Sequence, residues 1–99
     1  MAYEIEWASN ALNDYENILN HLITKWSYDI AENFVLKLEK KLETLCSQPL
    51  IGIASTSQKN IRSILITKQN RLFYRVKPNQ IEILNIFDTR QNPQKNIYE

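Results

Sequence analysis

The first 26 residues show two hydrophobic periodicities in succession. Apolar and acidic residues alternate in YEIEW at 3–7, which predicts a short strand with one buried face. From Ser9 onward the apolar residues recur every three or four positions: Ala11, Leu12, Tyr15, Ile18, Leu19, Leu22, Ile23 and Trp26. This spacing predicts a long amphipathic helix, and Ser9 or Asn10 is placed to cap its start.

A second amphipathic helix is predicted directly after the first. Ser27 is suited to cap it, and Asp29 falls in its first turn, where a carboxylate interacts favourably with the helix dipole. Its apolar stripe consists of Ala31, Phe34, Val35, Leu38, Leu42 and Leu45. Pro49 and Gly52 end this helix. The two helices, joined at KWS (25–27), therefore form an antiparallel hairpin whose apolar stripes need a further surface to cover them.

The second half of the chain supplies that surface. Segments 61–66, 71–77 and 80–88 are rich in β-branched and aromatic residues, and they predict three successive antiparallel strands. Pro78-Asn79 suits the turn between the last two, and residues 53–60 are interpreted as a loop between the layers. We therefore predict one α+β domain over 1–99, with a helical hairpin packed on a mainly antiparallel twisted sheet in the order β-α-α-β-β-β.

Alternation along the middle strand predicts which side chains face the helices. Leu72, Tyr74 and Val76 occupy one face of this strand. The other face carries Arg71, Phe73, Arg75 and Lys77. Because the helices need an apolar surface, we expect the first set to be covered and the basic set to lie on the opposite face.

Composition excludes several classes of function. A chain of 99 residues with 43% hydrophobic and 23% charged residues fits one globular domain. It has no apolar run near the roughly 20 residues that span a bilayer, and MAYEIEW lacks the basic start of a secretory signal, so we expect a cytoplasmic protein. Gly52 is the only glycine, which excludes a glycine-rich phosphate loop. Cys46 and His21 are the only residues of their types, so we expect neither a disulfide nor a metal or cofactor site, and no nucleophile–base pair.

Charge is distributed unevenly between the two halves of the chain. Residues 1–58 contain four basic and eight acidic residues, whereas residues 59–99 contain eight basic and three acidic ones. The basic candidates are Lys59, Arg62, Arg71, Arg75, Arg90 and Lys95, with Phe73 and Tyr98 interleaved. An arginine cluster could hold a phosphodiester, or these charges could simply form a solvated face that protects edge strands. Both interpretations remain open at this point.

The ordered set of segments resembles the RelE/ParE superfamily of bacterial toxins from type II toxin–antitoxin systems, and it is most similar to the ParE-like, plasmid-stabilisation branch. The segments that carry the resemblance are WASNALNDYENILNHLI, AENFVLKLEKKLETLCSQPLIG and IRSILITKQNRLFYRVKPNQIEILNIFDTRQNP. The resemblance implies a small toxin that arrests growth unless its antitoxin neutralises it. From the apolar stripes and the basic rim, we expect the bound antitoxin segment to be acidic and amphipathic.

The resemblance implies two alternative targets. In the RelE-like branch, which cleaves mRNA on the ribosome, basic residues and a C-terminal Tyr surround the scissile phosphate, and Arg62, Arg71, Arg90 and Tyr98 match those positions. The match is incomplete, because Ile64 stands where a second basic residue is common and no His follows the last strand. The ParE-like branch is associated with inhibition of DNA gyrase and needs no catalytic set, which ranks gyrase first, mRNA cleavage second and a non-toxic antitoxin-binding module third.

Arg90 is the most specific single hypothesis from this resemblance. It follows the last strand in FDTRQNP, where the superfamily places a functional Arg. Asp88 could instead hold Arg90 in an ion pair, which would make the segment structural. We expect Arg90 to support toxicity, and the other residues of the basic set to contribute to binding the target or the antitoxin.

Overall fold

The chain folds into two helices and a five-stranded sheet. The computed structural model describes residues 3–90 and residue 98. The helices are α1 (Ser9–Lys25) and α2 (Tyr28–Ser47), and the strands are β1 (Glu4–Trp7), β2 (Ile53–Ala54), β3 (Ile61–Thr67), β4 (Asn70–Val76) and β5 (Gln80–Asp88). The predicted α+β class and element order are confirmed, with one additional short strand.

The strand order across the sheet is β1-β5-β4-β3-β2. β1 runs parallel to β5, with Ile5 opposite Ile81, and every other neighbouring pair is antiparallel. The helical hairpin is the crossover that connects the β1 edge to the rest of the sheet. This arrangement leaves β1 and β2 as the two edges, and it places the helices against one face only, which we call the covered face.

Of the two predicted helix caps, one needs correction and one is confirmed. The prediction that Ser9 or Asn10 caps α1 is wrong, because the cap position is Ala8 and its side chain makes no capping hydrogen bond. The Ala8 N–H instead donates to the Ile83 carbonyl oxygen at 2.9 Å, so sheet pairing continues up to the residue where α1 begins. The cap predicted for α2 is confirmed, since Ser27 Oγ accepts a hydrogen bond from the Ile30 N–H at 3.2 Å.

The predicted loop at 53–60 contains the short strand β2. Ile53 lies opposite Ser63 and Ala54 opposite Arg62. Two residues are too few to show an alternating pattern, which explains why periodicity did not predict this strand. β2 forms the edge of the sheet beside β3, so the segment that follows α2 belongs to the sheet rather than only linking the two layers.

The covered face holds the main apolar core. Its buried residues come from both helices and from β3, β4 and β5: Ala11, Phe34, Leu38, Leu45, Ile66, Leu72, Tyr74, Ile81, Ile83 and Ile86. Trp7 and Tyr15 pack at its margin with ring centroids 5.5 Å apart. The prediction that Leu72, Tyr74 and Val76 face the helices is confirmed, since all three belong to this cluster.

α1 also completes the sheet edge that β1 leaves short. β1 pairs with β5 only from residue 80 to residue 83. Beyond that point, the Ile86 N–H donates to Asp14 Oδ2 at 3.0 Å. Because an unpaired backbone N–H in a partly buried position is unfavourable, Asp14 replaces a strand partner there.

The opposite face, which we call the open face, has a smaller apolar cluster. Ile61, Phe73 and Leu84 are buried there, with Phe87 and Tyr98 packed against them. The register between β4 and β5 shifts between Phe73 and Tyr74, as in a β-bulge. Phe73 lies on the face that was predicted, but it is buried rather than displayed among the basic residues.

The sheet leaves part of the apolar stripe of α1 uncovered. The predicted stripe of α1 includes Leu12, Ile23 and Trp26, yet these side chains are 43%, 44% and 68% exposed. Ile23 and Trp26 lie at the tip of the hairpin, beside the exposed Tyr28 and Ile30 at the start of α2. Helical periodicity therefore identified the right face of α1, but it could not show where the sheet stops covering that face.

Candidate functional site

Arg62 is held by main-chain oxygen atoms. It lies on β3 opposite Tyr74, so its side chain leaves the sheet on the same side as the main core. Its Nη1 donates to the Gly52 carbonyl oxygen at 2.8 Å and to the Leu50 carbonyl oxygen at 3.2 Å. The guanidinium therefore fixes the segment between α2 and β2.

Tyr74 binds the same segment from inside the core. Its hydroxyl donates to the Pro49 carbonyl oxygen at 2.8 Å and accepts from the Gly52 N–H at 3.0 Å. Burial raises the pKa of Tyr74, while the Gly52 hydrogen bond and the charge of Arg62 act in the opposite direction. A Cβ atom at Gly52 would lie 2.5 Å from the Tyr74 hydroxyl oxygen, so this close approach requires glycine.

Arg71 is the main basic group of a small cavity on the open face. Its Nη1 donates to Ser63 Oγ at 3.0 Å, and the ring of Phe73 lies 6.4 Å from that of Tyr98. The cavity, which we call the open-face cavity, has a volume of about 230 Å³ and is lined by Ile53, Ala54, Ser55, Thr56, Arg62, Ser63, Arg71, Phe73 and Tyr98. It combines a cation, hydroxyl groups and aromatic rings, which are groups that can bind a phosphorylated or nucleotide-like ligand.

Arg90 lies in a different part of the molecule. Its Nε donates to Asp88 Oδ1 at 3.0 Å and its Nη2 to Asp88 Oδ2 at 2.8 Å, which makes a two-point ion pair at the surface. The hydrogen bonds from Arg90 hold the pKa of the Asp88 carboxyl below its usual value. Arg90 lines a cavity of about 590 Å³ beside α1, not the open-face cavity. The structure therefore contains the ion pair between Arg90 and Asp88 that the sequence analysis gave as an alternative to a functional Arg90.

The remaining predicted residues do not join the open-face cavity. Lys59 is exposed and lines a separate cavity with Arg62. Arg75 lies opposite Ile61 and Glu82, and its buried Nε has no hydrogen-bond partner among the described residues. Lys95 lies outside the residues that the structure describes. Arg62 does not share a sheet face with Arg71 and Arg75, because the pleat of β3 places it on the covered side, although its side chain also lines the open-face cavity.

Ser63 is the contact residue that sequence reasoning missed. It is 6% exposed, lies opposite Phe73 and accepts the hydrogen bond from Arg71. A small polar residue on the same strand face as Ile61 and Leu65 in IRSILI was the available signal. It was not sufficient by itself, because only the register of β3 against β4 places this hydroxyl beside the guanidinium.

Cys46 and His21 do not form a reactive pair. Burial and the nearby Glu43 raise the pKa of the Cys46 thiol, which disfavours the thiolate. Cys46 is near the end of α2, whereas the exposed His21 is near the hairpin tip, at the other end of the helical layer. Within the described residues, no group of three or more His, Cys, Asp and Glu side chains is placed to hold a metal ion, and no helix there is long and apolar enough to cross a membrane.

The fold is shared with several solved bacterial toxin structures. The chain superposes with a TM-score of 0.72 on a structure of the chromosomal ParDE system from P. aeruginosa, at 19% identity, covering 88% of this chain and 96% of that one. For the YoeB dimer from Staphylococcus aureus, the TM-score is 0.62, the identity 18% and the two coverages 86% and 94%. For the E. coli DinJ–YafQ complex, the TM-score is 0.66 and the identity 12%, and the match covers 91% of this chain and 96% of that one.

These structural similarities show that the chain has the RelE/ParE-like toxin fold. The family model for the ParE toxin of the type II toxin–antitoxin system parDE matches residues 5–93, which is most of the chain. The chain therefore belongs to the ParE toxin family and is the toxin component of a type II toxin–antitoxin system. No curated protein matches its sequence.

Proposed function

We propose that this toxin arrests bacterial growth by inhibiting DNA gyrase, and that a cognate antitoxin neutralises it. The observation that supports gyrase over mRNA cleavage is that the three candidate arginines do not converge on one site. Arg62 and Arg71 both line the open-face cavity, but the Arg62 guanidinium is engaged with two carbonyl oxygens, and Arg90 is paired with Asp88 in another cavity. An enzyme that cleaves a phosphodiester needs such groups to converge within hydrogen-bonding reach of one phosphate.

Purified components test this proposal directly. The chain is incubated with DNA gyrase and relaxed plasmid, and in parallel with ribosomes that translate a labelled mRNA. We expect a dose-dependent loss of supercoiling and an intact mRNA. Cleaved mRNA with unaffected supercoiling would exclude the gyrase proposal and replace it with the second alternative.

Pulse labelling after induction tests the same proposal in bacteria without antitoxin. We expect thymidine incorporation to fall within minutes while leucine incorporation continues, because loss of gyrase stops replication before translation. An early fall in leucine would contradict gyrase as the target. Unchanged incorporation of both, with folded protein accumulating, would favour a non-toxic module that only binds antitoxin.

One observation favours the mRNA-cleaving alternative. Arg71, the Ser63 hydroxyl and Tyr98 line the same open-face cavity, so a cation and two hydroxyl groups are close enough to contact one small ligand. If this cavity cleaves mRNA, Arg71→Ala abolishes growth arrest. Arg75→Ala is the matched control, because Arg75 lies on the same strand and face but outside this cavity.

A further inference from the structure

The connection between the two helices carries a symmetrical pattern of side chains. Residues 25–29 read KWSYD, with a basic and an aromatic residue before Ser27 and an aromatic and an acidic residue after it. Lys25 ends α1 and Tyr28 begins α2, while Ser27 Oγ accepts the hydrogen bond that caps α2. We call these residues the KWSYD segment, and the pattern places its opposite charges on the two sides of one residue.

Both aromatic residues of the KWSYD segment are exposed. Trp26 is 68% exposed and Tyr28 is 70% exposed, and Ile23, one turn earlier on α1, is 44% exposed. An aromatic side chain removes about 150–250 Å² from water when it is fully buried. Because Trp and Tyr are enriched in protein interfaces, a patch of this composition is typical of a surface that another protein covers.

The charged residues of the KWSYD segment make this patch complementary to itself. Lys25 and Asp29 are exposed, and neither forms an ion pair with any residue that the structure describes. Their charges cancel, so the patch does not repel a second copy of the chain. In a two-fold interface, each residue of one copy meets the same residue of the other copy that its own counterpart meets. An axis near Ser27 therefore brings each Lys25 to Asp29 of the second copy.

The other exposed apolar patch does not have this property. It lies between α2 and β2 and consists of Leu50, Ile51 and Ile53, which are 63%, 52% and 68% exposed. Lys59 and Arg62 are close to it in the sequence, and residues 48–62 contain no acidic residue. Two copies that met there would bring like charges together, which disfavours association. Charge complementarity therefore favours the KWSYD segment as the place where a second copy binds.

We propose that two copies of this chain associate through the KWSYD segment. Trp26 of each copy packs on Tyr28 of the other, and Lys25 pairs with Asp29 of the other at both ends of the contact. This inference goes beyond the proposed function, because it does not depend on the target. Trp26 also lines the cavity of about 590 Å³ that holds Arg90, so the second copy covers part of its mouth.

The small size of the segment sets the strength of the association. Few residues of each copy take part, so the interface buries less than the roughly 1,200 Å² at which stable complexes begin. We therefore expect a reversible dimer with a dissociation constant of about 1–100 μM. Monomer and dimer then coexist at the concentrations that are convenient for sedimentation.

Charge reversal tests the pairing without removing the aromatic residues. Lys25→Glu places an acidic residue against Asp29 of the second copy, and Asp29→Lys places a basic residue against Lys25 of the second copy. Each variant alone should self-associate about 10-fold more weakly than the parent chain, because like charges meet twice. A 1:1 mixture of the two variants places opposite charges at both contacts. The mixture should therefore dimerise at least as strongly as the parent chain.

Sedimentation equilibrium over a concentration series measures these constants. The matched controls are Lys40→Glu and Glu43→Lys, because both residues are exposed on α2 outside the KWSYD segment. They make the same charge changes and should stay within about threefold of the parent chain. Both reversals in the segment are unfavourable for the helix dipoles. Dimerisation of the mixture would show that each variant nevertheless folds.

Tryptophan fluorescence of the parent chain gives a second measurement that needs no charge variant. We expect acrylamide to quench the emission less as the concentration rises through the dissociation constant, because the second copy covers Trp26. In Trp26→Phe, only the partly buried Trp7 emits, and its quenching should not depend on concentration. Quenching that stays constant in the parent chain while it dimerises would place the interface elsewhere.

The other outcomes overturn the proposal in distinct ways. A parent chain that remains monomeric at all concentrations excludes the dimer, and if the protein encoded by the adjacent gene then shields Trp26 from acrylamide, the segment belongs to that partner's interface. Equal dimerisation of the parent chain and both single variants assigns the contact to another surface. Folded variants that remain monomeric in the mixture exclude the pairing of Lys25 with Asp29. The supercoiling assay decides the proposed function separately in every case.

Discussion

The covered and open faces of the sheet differ in what their side chains contact. On the covered face, apolar residues from two helices and three strands fill one continuous core. On the open face, the small cluster of Ile61, Phe73 and Leu84 lies beside Arg71 and a cavity. The first face is a continuous apolar core, whereas the second combines a small apolar cluster with polar groups and a cavity.

The comparison predicts that equal truncations have unequal costs in the covered core and at an exposed position of the open face. Leu38 is 2% exposed in the covered core, and Leu65 is 41% exposed on the open side of β3. We expect Leu38→Ala to lower the free energy of unfolding by about 2–5 kcal/mol, because it leaves a cavity. Leu65→Ala should cost less than about 1 kcal/mol. Urea unfolding followed by tryptophan fluorescence measures both, and equal losses would show that the open face is buried in solution.

Gly52 joins the covered core to the edge of the sheet beside the open-face cavity. Gly52→Ala places a Cβ atom 2.5 Å from the Tyr74 hydroxyl oxygen and 2.8 Å from the Ser63 carbonyl oxygen. We expect a loss of about 1–3 kcal/mol, since a buried overlap forces neighbouring groups to move. Urea unfolding provides the measurement.

The double variant Gly52→Ala/Tyr74→Phe is the control for that substitution. It removes the nearest overlapping atom but keeps the overlap with Ser63. We therefore expect it to be less destabilised than the sum of the two single variants, because the two residues are in contact. Strict additivity would show that the Tyr74 hydroxyl is not the group that excludes a side chain at position 52.

Asp14 tests the margin of the covered face, where α1 replaces a strand partner. Asp14→Ala leaves the Ile86 N–H without its acceptor, and we expect a loss of about 1 kcal/mol. Asp14→Asn retains an oxygen acceptor and should cost less. Thermal unfolding at neutral pH distinguishes the two variants, and an equal loss in both would show that the carboxylate charge matters more than the hydrogen bond.

The pH dependence of stability should differ in sign between Asp14 and Asp88. Burial raises the pKa of Asp14 above 3.8, so its contribution to stability is largest below the unfolded pKa and declines as the pH rises through the folded pKa. Hydrogen bonds from Arg90 lower the pKa of Asp88, so its contribution is present above 3.8 and is lost as the pH falls. Raising the pH from about 3 to about 6 should therefore stabilise Asp14→Asn relative to the parent and destabilise Asp88→Asn. Parallel curves for both variants would contradict these assignments.

Sequence patterns predicted the parts of the molecule whose causes are local or periodic. The apolar stripes located both helices, alternation placed Leu72 and Tyr74 against them, and Ser27 marked the start of α2. The cap of α1 was not predictable in this way, because the Ala8 N–H bonds to Ile83, which is distant in sequence. Capping residues in the sequence do not predict a helix start that is fixed by a backbone hydrogen bond to a residue distant in sequence.

The candidate site was predicted as a set of residues but not as an arrangement. Asp88 and Arg90 are two residues apart, so their ion pair was one of the open alternatives from the sequence. The partners of Arg62 are carbonyl oxygens, which every residue has, and no residue type identifies them. The separation of Arg90 from Arg71 depends on which side of the sheet each strand end faces, and it required the structure.

Arg90→Ala should have the smallest effect on stability and the most direct bearing on function. The ion pair with Asp88 is at the surface, so we expect the urea midpoint to fall only slightly. If Arg90 supports toxicity, the variant no longer arrests growth although it still folds and binds antitoxin. Lys41→Ala, another exposed cation, is the control and should remain toxic. An Arg90→Ala variant that arrests growth as well as the parent would show that Arg90 only holds the end of β5, and that the toxic surface lies elsewhere.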